Sequence, residues 1–363
     1  MVSVQLGPRS YDIHVGRGLL DSLGSTLGKL TAGRYALVVT DELVAPHYGE
    51  RARKSLTAAG FQTDQAVMPP GESTKSLEHL SSLFDLLVDR HADRRSIVVA
   101  LGGGVIGDLA GFAAATYARG VPFFQVPTTL LSMVDSSVGG KVAVDHPRAK
   151  NMIGAFHQPL GVIADTELLA TLPERQYRCG LAEVVKYGVI MDAEFFEFLE
   201  RSADAINRHD AETVSKIVAH SCRLKADVVE EDEFETTGRR AILNYGHTFA
   251  HAFETSSDYE ELQHGEAVAI GMICAAHLAE KLGRIDDSLN RRQRALWRTL
   301  GLPTAVPKPL LDVDLISVMR RDKKSQGGKL RFVLPSRLGH VELVDNIDED
   351  LVRQVIRDSA SAT

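Results

Sequence analysis

The chain has 363 residues, and at roughly 150 residues per domain that length accommodates about two ordinary cores. Hydrophobic residues make up 44% and charged residues 25%, a globular balance that excludes a disordered or fibrous chain. Lys and Arg total 41 against 48 Asp and Glu, a net charge of −7. That balance argues against a nucleic-acid or anionic-membrane surface and leaves an anionic small molecule open.

The N-terminus reaches Arg9 and Asp12 without a sustained apolar core and does not read as a signal peptide. YALVVT over 35–40 predicts a buried strand, followed by the polar pair Asp41-Glu42 and a helix-compatible stretch to Ala59. A second strand is expected over 61–68, a turn at Pro69-Pro70-Gly71, and a helix over 76–89 with Leu77, Leu80, Leu83, Phe84 and Leu87 on one stripe. SIVVAL over 96–101 reads as another buried strand and ends on Gly102-Gly103-Gly104. Strand-helix repeats of this kind point to a parallel sheet covered by helices. The apolar run from Ile97 to Ala118 is interrupted by Asp108 and by glycines, so it reads as a turn and not a membrane span. After Pro173 strand signals largely stop, and 180–201, 211–231, 247–255 and 265–282 carry helical spacing. We therefore expect an α/β first domain over 1–170 and an all-α second domain over 171–363, with a frayed tail from Ser359. Cys179, Cys222 and Cys274 form no CxxC pair, which fits a reducing, cytoplasmic setting.

Three motifs carry chemistry. Gly102, Gly104 and Gly107 satisfy G-x-G-x-x-G between a strand and a helix, where glycines let an anion such as a pyrophosphate approach the helix N-terminus. The same turn can serve packing alone, and 120–131 lacks the acidic ribose partner expected about 20 residues on. Asp41 could fill that role from the end of an earlier strand, or act as a helix cap. Thr128-Thr129, the small polar run from Asp135 to Lys141, and Lys150-Asn151 suit a backbone that wraps a ligand. Finally, His247 and His251 stand four apart on one helix face, while His264 precedes Gly265-Glu266 and Glu183 precedes Lys186 by one turn. Imidazole and carboxylate are ligands of zinc or cobalt, although a chain with 13 histidines also produces such a pair by chance.

In combination these residues are not anonymous. GGGVIGDLAGF with ATYARG, PTTLLSMVDSSVGGKVAVDHPRAKNMIGAFHQP, LAEVVKYG, LNYGHTFAHA, QHGEAVAIGM and DKKSQGGKLRFVLP occur in an order that resembles the 3-dehydroquinate synthase family, from the PPGESTKS segment to RFVLP. Met133 and Val142 depart from the family's pattern, and the stretch from Lys225 to Arg240 varies in length within the family. The resemblance implies a Rossmann-like NAD-binding α/β domain, a helical metal-binding domain and an active site in the cleft between them. It implies conversion of 3-deoxy-D-arabino-heptulosonate 7-phosphate to 3-dehydroquinate and phosphate by transient oxidation, phosphate elimination, re-reduction and intramolecular aldol closure. NAD and one divalent metal, zinc or cobalt, are the implied cofactors, the partner is a small sugar phosphate with no nucleic acid or membrane, and the assembly is a homodimer.

Carried onto this sequence, the metal ligands are Glu183, His247 and His264, which takes His251 out of the metal pair and makes it a substrate-contacting or proton-handling residue. The NAD residues are Gly71, Glu72, Lys75, Gly104, Val105, Ile106, Gly107, Asp108, Thr128, Thr129, Lys141, Lys150, Leu168, Leu169, Ala170 and Thr171, with Asp41 retained from the strand-end reading. Asp135, Asn151, Lys186, Lys225, Arg240, Asn244 and Lys324 match the substrate pocket, and Arg119 reaches the phosphate bound by a neighbouring subunit. Another sugar-phosphate cyclase, a metal-dependent polyol dehydrogenase and a non-catalytic NAD or metal module are the rival readings. Arg240, Asn244 and His251 favour the dehydroquinate reading, because they supply the cation, amide and imidazole that a carboxylate-bearing substrate calls for.

Overall fold

The apolar runs near residues 35 and 97 become central strands of a seven-stranded sheet. The computed structural model describes residues 1–257, 262–322 and 330–360. Its first unit contains β1 (Val2–Val4), β2 (Tyr11–Gly16), β3 (Tyr35–Asp41), β4 (Gln62–Met68), β5 (Ile97–Gly102), β6 (Phe123–Pro127), β7 (Lys141–His146), β8 (Ala149–Phe156) and β9 (Gly161–Asp165). The sheet runs β1-β2-β9-β6-β5-β3-β4, parallel except for β1 against β2. β5 is buried along its whole length, as expected of a parallel strand with both faces covered. From β3 the chain builds outward to β4, then returns to place β5 on the other side of β3. That reversal makes β3 and β5 a topological switch point, the place where an open parallel sheet leaves a crevice outside its carboxyl ends.

The covering helices include α1 (Leu23–Leu30), α2 (Glu50–Ala58), α3 (Leu77–Asp89) and α4 (Gly104–Thr116). In α3, Leu80, Leu83 and Leu87 are buried, while Leu77 at its first position is exposed, so the expected stripe begins one turn later. The helix-compatible stretch after Asp41 is regular only from Glu50, because Pro46 lies in a wide turn over Ala45–Gly49 and cannot donate a helix hydrogen bond. The segment expected to wrap a ligand contains an antiparallel hairpin, β7 with β8, whose alternate residues Val142 and Val144 enter the core shared with α3 and α4.

The second unit is helical, with α5 (Glu174–Ile190) entering it, then α6 (Ala193–Asn207), α7 (Ala211–Glu231), α8 (His247–Ser256), α9 (His264–Lys281), α10 (Ser288–Thr299), α11 (Leu315–Asp322) and α12 (Glu349–Ala360). It is not purely helical: β10 (Arg331–Arg337) and β11 (His340–Asp345) form one antiparallel ribbon. α9 is buried nearly all round and is packed by α8, α10, α12 and β10, which makes it the axis of this unit.

Contacts divide the chain otherwise than at residue 170. Met1–Tyr177 and Val214–Phe234 form one unit, and Arg178–Thr213 with Glu235–Thr363 the other. Most of α7 thus belongs with the α/β unit. The bonds that tie it there include Lys225 Nζ to Asp135, Cys222 Sγ to the Met133 carbonyl, Arg223 to the Ser3 carbonyl and the Gln5 N–H to Glu230. Among the described residues no helix is long and apolar enough to cross a membrane.

Candidate metal centre and nucleotide-binding edge

Backbone contacts that only glycine permits bring α5, α8 and α9 together at their histidine-bearing ends. Gly265, directly after His264, lies so close to α5 that an added Cβ would sit 2.2 Å from the Cys179 carbonyl oxygen. Gly246, directly before His247, has φ +80° and would meet Met272 of α9 in the same way. Each imidazole therefore starts its helix at a close backbone contact, and both face Glu183 of α5. His247 Nε2 lies 3.5 Å and His264 Nε2 3.7 Å from Glu183 Oε1. One donor atom from each of the three lies within 4.8 Å of the others. Four-coordinate zinc with bonds of about 2.1 Å separates its ligands by about 3.4 Å, so two nitrogens and one oxygen at this spacing fit a divalent ion with a position left open.

The groups around these donors set their chemistry. Glu183 is 1% and Lys186 2% exposed, and Lys186 Nζ donates to Glu183 Oε2, leaving Oε1 toward the imidazoles. His247 Nδ1 is 3.1 Å from the Tyr245 carbonyl, and His264 Nδ1 is 3.1 Å from Glu254 Oε1. Burial pushes His247 down to about 3 despite Glu183, with Lys186 adding to the effect. For His264, burial works downward, but the neighbouring carboxylates of Glu183 and Glu254 hold it up at about 10. His251 contacts the ring of His247 edge to face and supplies no donor to the three-ligand group, so the naive i, i+4 pair is not the cluster.

In the same unit Arg240 is 4% exposed and 3.8 Å from Glu235, while Asn244 is exposed at the end of a 3-10 turn over Arg239–Asn244. Lys324 lies outside the described residues. A cavity of about 260 Å³ is lined by Phe196, Leu289, Arg292 and Arg337 and contains none of the donors above.

In the α/β unit, Gly102 ends β5 and Gly104 opens α4, at the carboxyl side of the switch point. The first helical N–H groups have no intrahelical acceptor by geometry, which favours an anion there. Two readings of the glycine turn coexist. A Cβ on Gly102 would strike Ile106 at 2.7 Å, a packing demand, whereas Gly104 and Gly107 would be 3.3 Å from Ser136 Oγ and Gln125 Oε1. The Thr128 hydroxyl is buried without a hydrogen-bond partner, an acceptor or donor left over beside this turn. Thr129 and Ser132 instead cap each other. Asp41 Oδ1 accepts from the N–H groups of Leu43 and Val44, so it does cap the turn after β3.

The structure collects several expected residues around one buried cation. Lys75, 5% exposed, donates to Asp108 Oδ2 at 2.8 Å and to Asn151 Oδ1, with Glu72 3.7 Å away. Lys150 lies 3.8 Å from Glu72, and Asn151, in the left-handed region at φ 58°, donates its N–H to Asp145. Burial raises Asp108 in spite of Lys75. Burial also opposes the charge of Lys75, yet Asp108 and Glu72 together hold it above the ordinary lysine value. Elsewhere in this unit, Lys225 Nζ bonds Asp135 Oδ1 at 2.8 Å and the Asp135 carbonyl at 2.5 Å. Leu168 and Leu169 are core residues, while Ala170 and Thr171 are exposed, with Tyr48 bonding the Leu168 carbonyl and Thr171. Lys141 is exposed, as is Arg119, which sits on a left-handed turn with Ala118.

Two groups here escaped the sequence reading, Asp145 and Glu254. Glu254 follows His247 by seven residues on α8, a two-turn spacing that a search for titratable stripes would detect.

A parallel sheet with a glycine turn at its switch point, in one chain with a helical unit holding a His-His-Glu donor set, defines a two-unit class of nucleotide-fold, metal-type proteins. Residues 65–179 match the family described as 3-dehydroquinate synthase N-terminal, and residues 180–325 the one described as 3-dehydroquinate synthase C-terminal. The 3-dehydroquinate synthase of Desulforamulus reducens is 51% identical over 348 residues, 96% of this chain and 97% of that one. The chain belongs to the 3-dehydroquinate synthase family. Among solved structures it is similar to 2-deoxy-scyllo-inosose synthase complexed with carbaglucose-6-phosphate, NAD+ and Co2+, at TM-score 0.88 and 27% identity over 98% of this chain and 99% of that one. It is also similar to 2-epi-5-epi-valiolone synthase from Streptomyces hygroscopicus subsp. jinggangensis with NAD+ and Zn2+, at TM-score 0.87 and 29% identity over 96% of each chain.

Proposed function

We propose that this chain is an NAD- and divalent-metal-dependent 3-dehydroquinate synthase, a lyase-type cyclase that converts 3-deoxy-D-arabino-heptulosonate 7-phosphate to 3-dehydroquinate and phosphate in the shikimate pathway. The observation that carries it is the convergence of Glu183, His247 and His264 in a chain about half identical to enzymes of that name. Zinc and cobalt both suit two imidazoles and a carboxylate.

When bound, NAD supplies a reversible hydride acceptor and the metal a Lewis acid for substrate oxygens. The chain's own residues bind and orient. Glu183, His247 and His264 hold the metal, with Lys186 fixing the far oxygen of Glu183. The α4 N-terminus with Gly104, Val105, Ile106, Gly107 and Asp108, the Thr128 hydroxyl, Thr129, Asp41 and the segments Gly71 to Lys75 and Leu168 to Thr171 form the NAD side, together with Lys141 and Lys150. Lys186, Lys141 and Arg240 are cations for carboxylate and phosphate, Lys225, Asp135, Asn151 and Asn244 belong to the substrate pocket, and His251 contacts the substrate or handles a proton. Lys324, or its neighbour Lys323, is assigned to the substrate on the family resemblance alone. Arg119 serves a partner subunit's phosphate in a homodimer. The exposed apolar side chains of Met152 and Phe156 on β8, with Phe234 against Phe156, support such an assembly. A cytoplasmic setting is supported by Cys179, Cys222 and Cys274, which are buried and form no disulfide.

The test is phosphate release from the heptulosonate phosphate with NAD and metal present. We expect release that depends on metal and leaves nicotinamide absorbance unchanged. No phosphate above a chelated control overturns the reading, and stoichiometric NADH would instead mark a polyol dehydrogenase.

A further inference from the structure

We propose that Glu254 is a positioning residue of the metal centre, holding the Nδ1 proton of His264 so that Nε2 is presented beside Glu183. The inference rests on the metal reading above.

Glu254 Oε1 is 3.1 Å from His264 Nδ1, and its side chain is only 12% exposed. An ionised carboxylate can accept but not donate, so the contact keeps a proton on Nδ1, and Nε2 is the position where a metal would take the place of a proton. That is the ring edge facing Glu183 Oε1. The outer partner of a ligating imidazole sets both its tautomer and its basicity. The second imidazole is held differently, since His247 Nδ1 meets the Tyr245 main-chain carbonyl, a neutral acceptor that no side-chain substitution removes. One face of α8 thus supplies a ligand at its first residue and, two turns on, the group that orients the ligand opening α9. A carboxylate also makes the His264 ring a stronger electron donor than His247, so the two nitrogens are inequivalent.

The test compares wild type, Glu254→Ala, Glu254→Gln and His264→Ala by competition of Zn2+ with a chromogenic chelator, and by the visible spectrum of the Co2+-loaded proteins. Glu254→Ala should weaken metal binding by about 10- to 100-fold. Glu254→Gln, which keeps an acceptor but not the charge, should fall between wild type and Ala and shift the cobalt band. Wild-type affinity in Glu254→Ala overturns the inference. If the Ala variant fails to fold, Gln decides: wild-type affinity with an unshifted cobalt band overturns it. Failure of the metal reading looks different, because then wild type binds no metal or His264→Ala binds as tightly as wild type.

Discussion

In the α/β unit a buried cation, Lys75, is enclosed by Asp108, Glu72 and Asn151, whereas in the helical unit a buried carboxylate, Glu183, is approached by two imidazoles and one lysine. The first cluster is bonded through its own side chains. Lys75 bonds Asp108 and Asn151 directly, and Asn151 and Asp145 extend the bonding into the β7–β8 hairpin, so the cluster is tied together by its own side chains although its carboxylates outnumber its buried cation. In the second, Lys186 bonds only one oxygen of Glu183, and the other faces nitrogens whose remaining ring positions are already committed to Tyr245 and Glu254. That arrangement gains most when a cation joins it. The difference separates a cluster tied together by its own side chains from one that an added cation would complete.

The sharpest break of that contrast is at the ion. His247→Ala should lose the metal and reduce phosphate release by more than about 100-fold, beyond the range of outer-shell groups, with NAD affinity unchanged. Metal analysis and an NAD titration on the same preparation check both halves. Full metal occupancy in the variant would remove His247 from the ligand set, and a parallel fall in NAD affinity would make the two clusters one system.

The Lys75 cluster should respond in stability instead. Lys75→Met leaves Asp108 facing Glu72 without its buried cation and should cost about 3 kcal/mol in urea unfolding. Adding Asp108→Asn to that variant should recover part of the loss, because the uncompensated charge is gone. Metal content should not move in either. A cost below about 1 kcal/mol would place Lys75 among solvated ion pairs.

The sequence carries unequal amounts of this. The core strands β3 and β5 are legible because buried parallel strands are continuous apolar runs, and α3 because Leu80, Leu83 and Leu87 keep the helical period. β1, β2 and β9 are short or mixed in polarity and leave no such signal. The helical period of α7 predicts its form but not its partner, since periodicity says that a face is apolar and not which unit covers it. At the site, i, i+4 spacing joins His247 to His251, while the structure joins His247 to His264 and Glu183 through Gly246 and Gly265, contacts made in three dimensions. The family resemblance names those three residues together where spacing does not. The i, i+7 spacing puts Glu254 on the His247 face of α8, but its contact with His264 depends on how α8 and α9 pack.

The smallest expected effect tests the one residue with two readings on the page. Both hydrogen bonds of Asp41 to the turn after β3 use Oδ1, so the cap needs an acceptor but not a charge. Asp41→Ala should therefore lose about 1 kcal/mol of stability, while Asp41→Asn should lose little. A ribose hydroxyl donating to a carboxylate is a charge-assisted bond, and at about 1.5 kcal/mol its weakening is worth roughly tenfold in affinity. Asp41→Asn should accordingly keep wild-type stability and bind NAD about tenfold more weakly. Unchanged NAD affinity in Asp41→Asn would leave Asp41 as a cap alone and move the ribose contact to another residue at the β3–β5 switch point.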